Sequence, residues 1–231
     1  MKNKALLFSL FLLLILIGCS GSIDYSPEHI SQTSGRYLYN PDDIIEVYYE
    51  KNTLYLKWRG ADKIKPLALD NNTFFVEQLY KKLQFVQHPD TKKRYLSELS
   101  KESENEITYD YLKVADTFNT PSMYLKNKEY SNALSGYLKI QKQDSGSILI
   151  NERDFNSLGY KFLRDTAYTD AIEVFKINVG LYPESDNVYD SLADAYARQG
   201  DSLQAYNNYK KALELDNGNR RAKRFVDAYE K

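Results

Sequence analysis

The chain has 231 residues, with 31 basic and 32 acidic side chains and a formal net charge of −1. That length allows one large domain or two small ones. The charge balance leaves no basic field to attract nucleic acid, and a single cysteine excludes an internal disulfide.

Lys2 and Lys4 precede an apolar run from Ala5 to Ile17, interrupted at Ser9 alone and followed by Gly18-Cys19. A basic start, a short apolar core and small residues at its end mark a secretory signal peptide. The run is too short to span a bilayer comfortably. Its last residues, Leu16-Ile17-Gly18-Cys19, resemble the lipobox of bacterial lipoproteins. The resemblance implies that residues 1–18 are removed, that Cys19 is acylated, and that the protein sits in the cell envelope. Ser20 favours the outer membrane by the same analogy. More than one acyl chain per cysteine gives stable anchoring where a single chain is marginal. Residues 19–33 lack hydrophobic periodicity and carry Gly, Ser and Pro, so the expectation is a flexible tether holding the body off the membrane.

From 34 to 104 the hydrophobic period is two. Tyr37 and Tyr39, Ile45, Val47 and Tyr49, Leu54, Leu56 and Trp58, Phe74 and Val76, and Leu83 and Phe85 sit at alternate positions. Turn-prone groups such as Asn40-Pro41-Asp42-Asp43, Lys51-Asn52, Gly60-Ala61-Asp62 and Asp70-Asn71-Asn72 separate the runs. This pattern predicts about six to eight antiparallel strands in a small curved sheet or barrel. The order Ser34-Gly35-Arg36-Tyr37, Ile45-Glu46-Val47, Leu54-Tyr55-Leu56, Phe74-Phe75 and Leu83-Gln84-Phe85 is similar to a known β domain. That domain follows the catalytic domain of many bacterial serine hydrolases of the β-lactamase and penicillin-binding class.

After about residue 109 the period becomes helical, and two stretches repeat at an offset of 34 residues. Phe155-x2-Leu158-Gly159-x2-Phe162 and Ala171-x3-Phe175 lie in 151–184. Tyr189-x2-Leu192-Ala193-x2-Tyr196 and Ala205-x3-Tyr209 lie in 185–218. Small residues belong where antiparallel helices cross closely, with aromatics filling the gaps beside them. Period and spacing together resemble tetratricopeptide repeats. Upstream, within 105–150, Tyr130-x2-Ala133-Leu134-x2-Tyr137 reads as a degenerate copy whose partner helix is interrupted at Thr120-Pro121. Downstream, Ala222, Phe225 and Tyr229 form an apolar stripe in 219–231, the expected capping helix. Two good repeats are few for a solenoid, so the partial repeat and the β domain are expected to cover the open end. The predicted fold class is α+β: an antiparallel sheet or barrel-like domain followed by an α-helical solenoid.

Asn156-Ser157-Leu158-Gly159-Tyr160 and Tyr182-Pro183-Glu184-Ser185 look like the repeat tail of some Bacteroidota hydrolases, which follow the order catalytic domain, small β domain, repeats. Here a lipoprotein signal stands where the enzyme would be. The resemblance implies accessory architecture without the hydrolase activity.

No Ser-x-x-Lys or Gly-x-Ser-x-Gly motif occurs. The two histidines read as tether (His29) and turn (His88), and neither is placed for catalysis. Two distant histidines and a lipidated cysteine make no zinc site. Asp42-Asp43 and Asp70-Asn71-Asn72 are better explained by turns than by calcium. No cofactor and no metal are expected, and the protein reads as a non-enzyme.

The expected functional surface is the groove lined by the first helix of each repeat. By resemblance it comprises Arg153, Asn156, Tyr160, Leu163 and Arg164, then Asn187, Asp190, Asp194, Ala197 and Arg198. Such a set suits an extended peptide or a partner helix. The reading is an envelope-anchored scaffold for a protein partner. One alternative is an accessory subunit of an envelope serine hydrolase. Another is a small lipid or glycan fragment held by the β domain among Tyr37, Tyr49, Trp58 and Phe74.

Overall fold

A computed structural model describes residues 23–100 and 106–231, so Cys19 and the expected signal peptide lie outside the described residues. The described chain opens with a helix, α1 (Pro27–Thr33), where the sequence predicts a tether. Ser26 caps it, its side chain accepting from the His29 N–H at 3.1 Å, and Pro27 stands at the first helical position. The helix is pinned to the body. Tyr25 is buried, Ile30 packs on the same core, and the Thr33 hydroxyl shares a 2.7 Å hydrogen bond with Tyr49. The tether expectation therefore fails from Ile23 onward. About two helical turns are too short to display a period, although Ser26-Pro27-Glu28 is a helix-start signal.

Nine strands follow among the described residues: β1 (Gly35–Asn40), β2 (Asp43–Glu50), β3 (Thr53–Trp58), β4 (Ala61–Ile64), β5 (Leu67–Ala68), β6 (Thr73–Val76), β7 (Lys81–Gln87), β8 (Arg94–Leu99) and β9 (Tyr111–Val114). They pair antiparallel in the order β4-β3-β2-β1-β9-β8-β7-β6-β5, a sheet curled into a half-barrel. Alternation sets the register. Tyr37 faces Ile45, Val47 faces Leu56, Phe74 faces Leu83, and Leu96 faces Tyr111 across neighbouring strands, and all of them point into one core. The β region extends past the expected limit of 104. Strand β9 lies between β1 and β8 in the middle of the sheet, so the helical half begins only at Pro121. A four-residue strand far along the chain gives too little alternation to be read alone.

Tyr37 and Phe74 are 1% exposed, with rings 6.1 and 5.1 Å from that of Phe85. These side chains fill the half-barrel themselves and do not line a ligand pocket. Trp58 sits at the rim and donates to Asp43 Oδ2 at 3.1 Å.

Helices α2 (Pro121–Lys126) and α3 (Tyr130–Gln143) form the degenerate repeat. Thr120-Pro121 starts α2 instead of breaking a longer helix, because Thr120 caps it and Pro121 stands in its first turn. Two hairpins follow, α4 (Glu152–Arg164) with α5 (Tyr168–Leu181) and α6 (Asp186–Gln199) with α7 (Ser202–Leu215). The cap α8 (Arg220–Tyr229) closes the row. The small residues lie at the crossings as expected. Ala171, Ala193 and Ala205 are fully buried, and Gly159 packs against the Phe175 ring.

The halves are joined at the β1–β2 turn. Asp42 Oδ1 accepts the Ser122 N–H at 2.6 Å, and Tyr137 bonds the same carboxylate. Arg36 donates to the carbonyls of Asp116 and Phe118 at 2.7 and 2.6 Å. The β domain does not seal the open end of the solenoid completely. A cleft of about 450 Å³ remains between Leu38, Pro41 and Phe118 on one side and Gly136 and Lys139 of α3 on the other.

Candidate functional site

The helix-start positions of α4, α6 and α8 recur every 34 residues as Arg153, Asn187 and Arg221. Each helix also begins at a capping side chain or turn that sets its angle. Asn151 accepts from the Arg153 N–H, and Asn219 accepts from the Arg221 and Ala222 N–H groups. At the opposite end of α6, Gly200 takes the left-handed conformation (φ +96°) that lets the chain reverse into α7.

At the C-terminal end of this face the side chains bond mainly to one another, although Asp194 Oδ2 is buried and accepts no hydrogen bond among the described residues. Arg221 bridges both carboxylates, donating to Asp190 from Nε (3.2 Å) and from Nη2, with Nη1 3.5 Å from Asp194 Oδ2. The same guanidinium lies 3.3 Å from the Tyr160 hydroxyl. Arg198 donates to Asp194 Oδ1 at 3.1 Å, and Asn219 donates to Asp190 Oδ1 at 2.9 Å. Desolvation works against the Arg221 charge, yet hydrogen bonds to Asp190 and Tyr160 outweigh it and raise its pKa. Asp190 and Asp194 are 7% and 8% exposed, so this end is a closed, neutralised cluster.

The other end is open. Asn151, Glu152, Arg153, Asn156 and Asn187 surround a cleft of about 470 Å³. Asn187 Nδ2 donates to Glu152 Oε1 at 2.8 Å, which ties α4 to α6 across the cleft. Asn156 Oδ1 is buried and has no hydrogen-bond partner among the described residues. Arg153 is exposed and makes no ion pair among them. A buried unpaired acceptor beside a free guanidinium is a polar site ready for a ligand that carries both a donor and an anionic or carbonyl oxygen.

The ten groove residues expected from the sequence therefore separate. Arg153, Asn156 and Asn187 line the open cleft, while Tyr160, Asp190, Asp194 and Arg198 belong to the closed cluster. Arg164 is exposed beyond both. Leu163 is not a lining residue. It is 3% exposed and packs with Ala171, Ile172, Phe175 and Leu192 between the repeats. Ala197 is partly buried against the Ala193–Tyr209 cluster. Sequence reasoning missed Arg221 and Asn219. Adding the 34-residue period to Asn187 and Ser185 reaches both positions, but treating 219–231 as a cap only hid them.

His29 also differs from expectation. Its ring stacks on Tyr25 at 5.1 Å and meets Tyr49 and Phe85 edge-on at 6.2 and 5.9 Å. Burial, then the Arg94 charge, lowers its pKa. His88 is the turn histidine expected, with Nδ1 accepting from the Asp90 N–H at 3.2 Å. Among the described residues no group of three or more His, Cys, Asp or Glu side chains is placed to hold a metal, and no helix is long and apolar enough to cross a membrane.

No family model and no curated protein matches the chain. Among solved structures it is similar to the first tetratricopeptide domain of Spaghetti (RPAP3) bound to the HSP90 peptide SRMEEVD. That match is 19% identical, covers 48% of this chain and 84% of that one, and has a TM-score of 0.33. The tetratricopeptide domain of Arabidopsis OM64 is 17% identical over 47% of this chain and 86% of its own, with a TM-score of 0.32. MamA AMB-1 is 28% identical over 42% of this chain, which spans 56% of the MamA chain, at a TM-score of 0.29. At such scores these likenesses carry no functional argument. The repeat assignment rests on the 34-residue period and on the hairpins themselves.

Proposed function

We propose that this protein is a non-enzymatic scaffold, anchored in the bacterial cell envelope by acylated Cys19, that holds a protein or peptide partner at the open end of its repeat face. The observation that carries the binding reading is the pairing of Arg153 with the partnerless Asn156 oxygen in a polar cleft. A peptide N–H would satisfy Asn156 Oδ1 while a backbone carbonyl or carboxylate reaches Arg153, the geometry an extended segment provides. The closed cluster of Arg221, Asp190 and Asp194 holds the neighbouring helices at a fixed angle and so shapes the cleft. The lipobox-like Leu16-Ile17-Gly18-Cys19 supports the anchor.

The test is crosslinking in the native envelope from a photoreactive residue at Ser157, next to the cleft, followed by mass spectrometry. One protein is expected from the wild type and should be lost from an Arg153→Ala/Asn187→Ala variant whose circular dichroism is unchanged. Crosslinks identical in the two proteins would sink the cleft as the docking site. A chain that retains an unmodified Cys19, by intact mass, would sink the anchor separately.

A further inference from the structure

The first packed residues lie very close to the expected anchor. Ser20, Gly21 and Ser22 alone separate Cys19 from Ile23, which packs on the β core. Four Cα-to-Cα steps span at most about 14 Å even when fully extended, little more than the roughly 10–12 Å width of one helix with its side chains. The body cannot stand far from a membrane that holds Cys19.

The point where the described chain begins identifies the end of the body concerned. The Tyr25 N–H donates to Asn52 Oδ1 at 3.2 Å, and Asn52 in turn bonds Asp24, so the start is clasped to the β2–β3 turn. Burial, then the Asp70 charge, raises the Tyr25 pKa. The Phe85 N–H donates to the Asn72 carbonyl at 2.9 Å, and Phe85 also touches His29 of α1. One end of the half-barrel thus gathers α1, the 51–52 and 70–72 turns and the 88–93 loop.

Leading from that end is an apolar strip on the sheet's edge. Leu67 is 64% and Leu69 48% exposed, and Leu67 pairs across to Phe75, whose ring meets Tyr80 at 5.8 Å. The turns at this end carry Lys51, Lys92 and Lys93 against Asp24, Asp70 and Asp90, a balance that matches zwitterionic headgroups and needs no anionic lipid.

We propose that the anchored protein rests on the bilayer surface by this end of the β domain, with Leu67 and Leu69 in the headgroup region, and that the repeat face points away from the membrane. The proposal rests on the acyl anchor at Cys19. Apolar side chains lodged in the interface add hydrophobic contact to what the acyl chains supply. The β domain is then a spacer that presents the cleft at a fixed height and orientation.

The test uses the full acylated chain in vesicles of phosphatidylethanolamine and phosphatidylglycerol containing a nitroxide-headgroup lipid. An Asn71→Cys variant carries a fluorophore at the 70–72 turn, and a Gln204→Cys variant carries it on exposed α7. Acylation leaves Cys19 unreactive to the label. Quenching several-fold stronger at 71 than at 204 is expected, falling when Leu67→Ser/Leu69→Ser is added. Equal quenching at both sites of acylated protein overturns the orientation. An unchanged contrast in the double-serine variant overturns the two leucines as the contact. Dimerisation in detergent that the double-serine change abolishes would assign the strip to a second copy and overturn the membrane contact. Intact mass showing unmodified Cys19 overturns the anchor reading itself, a failure distinct from the others.

Discussion

At the scale of single residues, the two most informative side chains are Arg221 and His29. Arg221 faces two nearly buried carboxylates, so removing it leaves Asp190 without a cation and Asp194 with Arg198 alone among the described residues. Arg221→Ala should lower stability by about 2 kcal/mol, less than a fully buried pair would lose because the Arg221 side chain is 41% exposed. Arg221→Lys should recover only part of the loss, since one ammonium cannot bridge Asp190, Asp194 and Tyr160 together. Urea midpoints of the three proteins give the comparison, and an unchanged midpoint in the alanine variant would show that the cluster adds nothing. His29 works in the opposite sense. Its ring is enclosed by Tyr25, Tyr49 and Phe85 with Arg94 nearby, and its buried Nε2 has no partner among the described residues. The folded-state pKa lies below the unfolded value of about 6.5. The contribution of neutral His29 is therefore full above about pH 6.5 and is lost as the pH falls through the folded pKa. Wild type should lose stability between pH 7 and pH 5 that His29→Phe does not, as read by urea titrations at each pH. Parallel curves for the two proteins would contradict this.

At the scale of elements, the crossing of α4 and α5 is the tightest test of the repeat pattern. A Cβ on Gly159 would lie 2.8 Å from Phe175 Cδ1 and closer still to Cε1 and Cζ, and Phe175 is fully buried. The ring has nowhere to go, so the helices must separate. Gly159→Ala should destabilise the protein by about 1–2 kcal/mol, because overpacking outweighs the helix-propensity gain of about 1 kcal/mol. A higher melting temperature would refute the close crossing. The equivalent site in the next repeat already holds an alanine, Ala193, fully buried beside Tyr209 in the same cluster. The two crossings solve one packing problem with different pairs.

At the scale of the whole molecule, Asp42 is the joint. It accepts from the Ser122 N–H and Tyr137 hydroxyl, and burial raises its carboxyl pKa although bonds from Ser122, Tyr137 and Thr120 oppose that rise. Asp42→Ala leaves the Ser122 and Tyr137 donors without their acceptor, at about 1–3 kcal/mol for each buried group left unmet. Calorimetry should then resolve separate transitions for the β and helical halves, where wild type and Asp42→Asn give one. A single transition in the alanine variant would mean that the remaining contacts, Arg36 to the 116–118 carbonyls among them, suffice. The raised pKa also sets a sign. Protonated Asp42 favours the fold below the unfolded carboxyl value, and that contribution disappears as the pH rises through the folded pKa. Asp42→Asn should flatten stability across that window.

Sequence alone determined the features whose physics is local and periodic. The two-residue alternation of Ile45, Val47, Leu54 and Leu56 dictates an antiparallel sheet with one buried face. The 34-residue recurrence of Gly159 and Ala193 and of Ala171 and Ala205 dictates paired helices crossing closely. Tertiary structure decided whatever depends on partners distant in sequence. Tyr111–Val114 becomes a central strand only because β1 and β8 both offer it hydrogen-bonding edges. Residues from Ile23 to Thr33 become ordered only because the half-barrel buries Tyr25. The groove divides into closed and open ends because Arg221, 31 residues beyond Asp190, reaches back to it, an encounter that periodicity can place but only folded geometry can pair.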